Sequence, residues 1–205
     1  MITNNPFSQL SEIVPCIAMK YFVVIMVLLV ISGTLLDIIH KKNVKYFFQN
    51  IKKIKKSATK TLNTGEKTSI VLKTFASDIL TTSELNGKRR LAHLLGMYGT
   101  SIFWITSVIM IFWYSIPLSL TPSIIPLFWH LGALMTVIGG CWFWFFLRVD
   151  VSAEAYPWYR YTKADLFILA LITSQGFGLI WSFLQNLEIS LWANLFLILL
   201  ANYPA

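Results

Sequence analysis

The sequence predicts an all-α, polytopic membrane protein: a bundle of five transmembrane helices with its N-terminus outside and its C-terminus inside the cell. Composition is the first reason, because 56% of the 205 residues are apolar, 13% are charged and the mean hydropathy is +0.65. So little polar surface excludes a soluble domain. The second reason is a series of five long apolar stretches, and the third is the clustering of basic residues between them.

The five apolar stretches each approach the roughly 20 residues that a helix needs to cross a bilayer. They cover residues 20–39, 91–115, 127–147, 164–184 and 187–203. Asn194 and Asn202 interrupt the fifth, which we still interpret as a span. Residues 1–19 lack the basic start of a signal peptide and no cleavage pattern follows the first stretch. We therefore expect them to stay attached as an outer N-terminal segment.

The basic residues predict the orientation. Of the 17 lysines and arginines, 13 lie between Lys41 and Arg90, and three more lie between the third and fourth stretches. Because cytoplasmic loops carry an excess of Lys and Arg, both loops are predicted to face the cytoplasm of a plasma-membrane protein. Orientation accounts for the net charge of +8, so this charge does not indicate a nucleic-acid partner.

The basic loop, residues 40–90, carries two apolar patterns with helical spacing. The first comprises Val44, Phe47, Phe48, Ile51 and Ile54, and the second Ile70, Val71, Phe75, Ile79 and Leu80. Two amphipathic helices are therefore predicted. They could lie on anionic lipid headgroups, which stabilises binding by about 1 kcal/mol per lysine, or bind a soluble partner.

Enzyme chemistry finds little support in the motifs of this sequence. Cys16 and Cys141 have no CxxC spacing, which argues against an iron–sulfur or zinc site within this chain. Neither a Ser-His-Asp arrangement nor a phosphate-binding glycine loop is evident. Asp165 is explained by helix capping, with a proton path as the alternative.

His93 is the principal candidate site residue. It follows Arg89 and Arg90 at the mouth of the second apolar stretch, and an ionisable group at membrane depth is a functional candidate. Gly96 and Gly99 share its helix face, where small residues admit a flat ring or a neighbouring backbone. A boundary histidine without a ligand is the alternative. The eight tryptophans are interpreted mostly as interfacial anchors, apart from those packed in the apolar cluster Trp142–Phe146; stacking on a cofactor is the alternative.

Four segments, taken in order, suggest a family. They are the opening of the second helix (RRLAH, 89–93), the end of the third (IGGCWFWFFLR, 138–148), the opening of the fourth (TKADLFILAL, 162–171, continuing through Gln175 to Gly178) and the end of the fifth (LLANYP, 199–204). Over about residues 75–205 the chain resembles the membrane cytochrome b family typified by the nitrate reductase gamma subunit and the heterodisulfide reductase E subunit.

This resemblance implies a b-type haem between helices two and five, which passes electrons between membrane quinone or quinol and a soluble iron–sulfur partner on the cytoplasmic side. His93 matches the inner haem ligand, and Arg89 and Arg90 would pair with the propionates. The chain departs from the family at Phe103 and Trp192, which stand where the outer ligands belong. At most one haem b is therefore expected.

The second axial ligand of that haem is open. In the family it follows helix five, where this sequence reads Tyr203-Pro204-Ala205. His40 lies on the same side as His93 and is a substitute. His130 is predicted to lie most of a bilayer away, so one iron cannot bind both. The alternative function is a haem-free structural or anchoring subunit of a larger membrane complex, with other membrane subunits as partners.

Overall fold

The computed structural model describes residues 3–40, 46, 49–51, 53, 63–83, 85, 87–116, 120–148, 159, 161–162 and 165–187. Within them the regular structure is entirely helical. The helices are α1 (Pro6–Leu10), α2 (Cys16–His40), α3 (Thr64–Thr74), α4 (Gly87–Trp113), α5 (Ile124–Trp142) and α6 (Asp165–Asn186). Two π-helical turns continue α3 and α5, over Phe75–Leu80 and Phe143–Leu147 respectively.

Four of these helices are long and apolar enough to cross a membrane, namely α2, α4, α5 with its π-helical turn, and α6. They correspond to the first four predicted spans, which confirms the prediction of an all-helical membrane protein. The fifth predicted span, residues 187–203, lies outside the described residues except for Leu187. The side of the membrane that faces the cytoplasm stays a prediction.

Helices α4, α5 and α6 form a bundle in which α5 packs against both neighbours. Since successive helices run in opposite directions, α4 begins, α5 ends and α6 begins at one end, here called the basic end. The other end, here called the N-terminal end, carries α1. Glycine backbones form much of the α4–α5 contact, and the Ile172 side chain of α6 packs over Gly140 of α5.

Helix α2 leaves this bundle after its first two turns. Met19 and Val23 are buried against a cluster that includes Val108 and Ile111 of α4. From Val24 onward most of the large apolar side chains of α2 are exposed, with Leu29 and Val30 more than 60% exposed. A predominantly apolar helix of this kind is suited to lipid or to another membrane protein, not to water.

Helix α3 and the π-helical turn that continues it to Leu80 lie where the second amphipathic helix was predicted. Two hydrogen bonds join its end to α4: the Tyr98 hydroxyl donates to the Leu80 carbonyl at 2.7 Å, and Arg90 Nε donates to the Thr81 carbonyl at 2.8 Å. Most of the first amphipathic helix, like most of the loop after α5, lies outside the described residues.

The interpretation of tryptophans as interfacial anchors is wrong for Trp129 and Trp181, which are buried with 1% and 6% of their surfaces exposed. Each lies near a helix end, which suggested an anchor, but Phe7 of α1 packs against both rings. Trp144, in the predicted apolar cluster, is 5% exposed. Trp104 and Trp113 are exposed, as anchors would be.

Candidate functional site

His93 lies in the second turn of α4, at the basic end, and its side chain is exposed. It precedes Thr100 by seven residues, so both lie on the side of α4 that approaches α6. One turn beyond His93, a Cβ added at Gly96 would meet nothing within 4 Å. The face that carries His93 and Gly96 is therefore open within the described part of the chain.

Arg89 and Arg90 also lie at the basic end of α4, and both are exposed. The Nε of Arg90 bonds the Thr81 carbonyl, so part of that guanidinium holds the end of α3 in place. His40 is the last residue of α2, and its side chain lies outside the described residues. The structure therefore places His93 and the two arginines together but does not define the position of the His40 ring.

Gly99 of α4 and Gly139 of α5 lie where the two helix backbones come into contact. A Cβ added at Gly99 would lie 2.7 Å from the Thr136 backbone nitrogen and 2.8 Å from the Gly132 carbonyl oxygen. Added at Gly139 of α5, it would lie 2.9 Å from the Ala92 carbonyl oxygen. Of the two possibilities, a flat ring or a neighbouring backbone, the space beside Gly99 holds a neighbouring backbone.

His130 lies near the start of α5, at the N-terminal end, and bonds protein atoms through both ring nitrogens. Nδ1 is 2.7 Å from the Pro126 carbonyl oxygen, and Nε2 is 2.8 Å from Ser182 Oγ of α6. Because a carbonyl only accepts, Nδ1 carries the proton in a neutral ring, and the Ser182 hydroxyl donates to Nε2. His130 therefore links α5 to α6.

The distance between His93 and His130 is shorter than the sequence suggested. The Gly99–Gly132 and Gly139–Ala92 contacts place His93 level with about residue 141 of α5. At about 1.5 Å per residue the two histidines are therefore roughly 16 Å apart along the bundle, about half of the hydrocarbon core rather than most of it. The helices overlap more deeply because α4 begins four residues before the predicted span. One iron still cannot bind both rings.

A polar chain crosses the middle of the bundle. Gln175 Nε2 of α6 donates to Thr100 Oγ1 at 3.2 Å, Thr100 lies 3.2 Å from Thr136 Oγ1, and Thr136 donates to the Gly132 carbonyl at 3.1 Å. The chain thus joins α6, α4 and α5 and ends on a main-chain carbonyl. Gln175 is 1% exposed, and its Oε1 has no hydrogen-bond partner among the described residues.

A second chain lies nearer the N-terminal end. Trp129 Nε1 donates to Ser107 Oγ at 2.8 Å, and Ser107 donates to the Phe103 carbonyl at 2.7 Å. The Phe103 ring packs against Trp129 with 5.0 Å between ring centroids. Phe103, which stands where the family would have its outer haem ligand, is thus part of the contact between α4 and α5.

The N-terminal segment caps this end of the bundle. Asn5 Nδ2 donates to the Tyr114 carbonyl at 2.9 Å and to Thr121 Oγ1 at 3.1 Å. Phe7 makes edge-to-face contacts with Trp129 and Trp181, with centroid distances of 6.0 and 5.7 Å. The segment predicted simply as an outer extension is therefore folded onto all three bundle helices.

A salt bridge closes the basic end between α5 and α6. Arg148 donates to Asp165 through Nε at 3.1 Å and through Nη2 at 2.6 Å, and the two side chains are 10% and 14% exposed. The guanidinium also lies 4.3 Å from the Trp144 ring centroid. Asp165 Oδ2 accepts from the Thr162 backbone N–H at 2.7 Å, which is the capping role predicted for it.

Within the part of the chain that the structure describes, His93 could supply one haem ligand, and no enclosing slot surrounds its exposed side chain. The resemblance would place a porphyrin between α4 and the fifth predicted span, which lies almost wholly outside the described residues, and both ring nitrogens of His130 are engaged. No group of three or more His, Cys, Asp or Glu residues there is arranged to hold a metal ion. A haem at His93 would therefore need its second ligand and its other wall from outside these residues.

Comparison of the chain with models of known protein families, with curated protein sequences and with solved structures gives no match. The cytochrome b resemblance therefore rests on the residue pattern alone.

Sequence reasoning missed the residues that link the helices. Gln175, Ser182 and Asn186 succeed one another by seven and four positions, which places them on one face of α6. That polar stripe within an apolar span was a usable signal, since polar residues in membrane helices face the bundle interior. Thr100 and Ser107 follow His93 at intervals of seven residues on α4, which is a similar signal.

Proposed function

We propose that the chain is a haem-free structural or anchoring subunit of a larger membrane protein complex. The observation that carries this proposal is that the polar groups and glycines inside the bundle join helices to one another. The chain from Gln175 and the chain from Trp129 both end on main-chain carbonyls, and Gly99 brings two backbones together. These contacts hold the helices in fixed positions relative to one another, as a structural subunit requires.

Helix α2 provides the surface through which such a subunit would associate. Beyond Val23 it is separate from the bundle and exposes apolar side chains on every side. Gly33, with nothing within 4 Å of an added Cβ, offers a small-residue site of close approach between Ser32 and Thr34. The basic loop, on the cytoplasmic side in this proposal, would add contacts with subunits at the membrane surface.

A second candidate is the electron-transfer subunit implied by the resemblance, with one b-type haem on His93, a quinone in the membrane and an iron–sulfur partner in the cytoplasm. The open face at His93 and Gly96 favours it, because a flat ring could lie against α4 there. Bound haem would supply one-electron chemistry. In that case Arg89 would be free to face a propionate, while the Arg90 Nε is already bonded to Thr81.

Two measurements on the full chain, purified from its own membranes in a mild detergent, distinguish these functions. Native mass spectrometry should show a particle that contains another polypeptide besides this 23.5 kDa chain. A pyridine haemochrome assay should show no stoichiometric haem, and His93→Ala should leave the particle intact. The proposal is wrong if the purified particle contains this chain and no other polypeptide.

The haem candidate makes the opposite prediction for the same sample. It requires one b-type haem per chain, lost in His93→Ala and retained in a matched control variant on the exposed face of α4, Ile105→Ala. A haem signal that survives His93→Ala would assign the haem to another subunit and leave the anchoring proposal standing.

A further inference from the structure

Helix α3 has one apolar face that the described part of the chain leaves uncovered. Val71, Leu72 and Phe75 share this face, with 66%, 63% and 49% of their surfaces exposed. Ser69 and Lys73 lie on the other side of the helix. A short helix with an exposed apolar face and charged flanks is typical of helices that lie at a membrane surface.

The contacts of α3 with α4 set its depth. Tyr98, whose hydroxyl bonds the Leu80 carbonyl, lies eleven residues after the start of α4 at Gly87, or roughly 16 Å along the helix. Its side chain slants back toward the α4 N-terminus, so Leu80 lies beside the second and third turns of α4. Those turns are already inside the apolar span that begins at Leu91. The end of α3 is therefore at the boundary of the hydrocarbon core.

The charge around this face is positive. Lys67 and Lys73 of α3 and Lys88 and Arg89 of α4 are all exposed. The whole loop from Lys41 to Arg90 has 13 basic residues against three acidic ones. Anionic headgroups attract basic residues near a membrane surface, and lysine stems reach from an apolar face to the headgroup layer.

We propose that α3 is an interfacial helix: Val71, Leu72 and Phe75 insert at the acyl boundary, and the basic residues elsewhere on α3 and at the start of α4 bind anionic lipid headgroups. A bilayer is the occupant that fits, since the helix that carries this face is tied through Leu80 and Thr81 to the first turns of a membrane span, where a soluble protein would have to displace lipid. This inference does not depend on the function proposed above.

The test uses the full chain with Cys16 and Cys141 replaced by serine and one new cysteine at Val71 or, as the matched control, at Ser69. Each cysteine carries an environment-sensitive fluorophore, and the protein is reconstituted into phosphatidylcholine vesicles with or without phosphatidylglycerol. Brominated lipids report contact with acyl chains. We expect strong quenching and blue-shifted emission at position 71, weak quenching at position 69, and stronger quenching at 71 with phosphatidylglycerol.

Lys67→Gln and Lys73→Gln test the charge. Each should lower the equilibrium constant for binding of α3 to the membrane surface roughly fivefold in phosphatidylglycerol vesicles, and should have little effect in pure phosphatidylcholine. Unchanged elution and helix content serve as the folding control, and a probe at Leu72 gives a second position on the same face. Equal quenching at positions 71 and 69 overturns the proposal. Shielding of position 71 in native membranes but not in vesicles of the purified chain also overturns it, in favour of a protein partner.

Discussion

Ser182 and His130 show how single polar residues join membrane helices. In hydrocarbon an unpaired hydroxyl or imidazole is energetically costly. The hydrogen bond between Ser182 and His130 therefore stabilises the contact between α5 and α6. The neutral ring directs one nitrogen to its own helix, at the Pro126 carbonyl, and the other to α6. Within α6, Asn186 donates to the main-chain carbonyl of Ser182 at 2.7 Å.

Ser182→Ala should therefore lower the free energy of unfolding by about 1 kcal/mol, because it leaves His130 Nε2 unpaired. Ser174→Ala is the matched control, since the Ser174 hydroxyl bonds only the Leu171 carbonyl of its own helix in the described contacts. Reversible unfolding in mixed micelles measures both. A double-mutant cycle with His130→Leu should give a coupling energy of about 0.6 kcal/mol, and independent effects would contradict the hydrogen bond.

Helices α4 and α5 owe their close approach to glycine. Without side chains at Gly99, Gly132 and Gly139 the two backbones come into direct contact, and this contact sets how far the helices overlap. Gly96 belongs to the same helix but points away from α5 into open space. Helix α4 thus has one glycine, Gly99, that packs against α5 and another, Gly96, where an added side chain would meet no neighbour.

Gly99→Ala should destabilise the bundle by about 1–3 kcal/mol, because its methyl group would lie 2.7 Å from a backbone nitrogen that cannot move alone. Gly96→Ala should be neutral or stabilise the protein by up to about 1 kcal/mol, since alanine is the better helix former and meets nothing. Thermal unfolding of the two variants in one detergent tests the difference. Equal stabilities would show that the packing assigned to α4 and α5 is wrong.

The described part of the molecule combines a capped three-helix bundle with a largely separate apolar helix. Asn5 and Phe7 hold the N-terminal segment over α4, α5 and α6, while the Arg148–Asp165 pair closes the opposite end. Both ends of the bundle are therefore fixed by contacts between distant parts of the chain. Helix α2 and helix α3 extend from this core with exposed apolar side chains.

Phe7→Ala should loosen the cap and lower the free energy of unfolding by about 1–3 kcal/mol, because two buried tryptophans lose an edge-to-face partner. Tryptophan emission should also shift to longer wavelength as Trp129 and Trp181 become hydrated. Leu120→Ala, at a side chain that is 96% exposed, is the control and should change neither property. A silent Phe7→Ala would mean that the segment does not cap the bundle.

The helices were predictable because their signal is local. An apolar run must satisfy its backbone within itself when it enters a membrane, so length and composition alone located the four described spans to within about one turn. The same holds for α3, whose apolar positions recur at helical spacing. Neither conclusion required knowledge of which helix packs against which.

Tertiary structure decided which residues face the interior of the bundle. Nothing in the sequence around Gly96 and Gly99 says which glycine meets a neighbouring backbone, and nothing around His93 and His130 says which ring faces inward. Those outcomes depend on helix rotation and overlap, which are set by contacts between residues far apart in the chain, such as Gly99 with Thr136 and His130 with Ser182. By itself the sequence determined a helical membrane protein with a basic loop. Packing alone decided that His130 links two helices while His93 lies open.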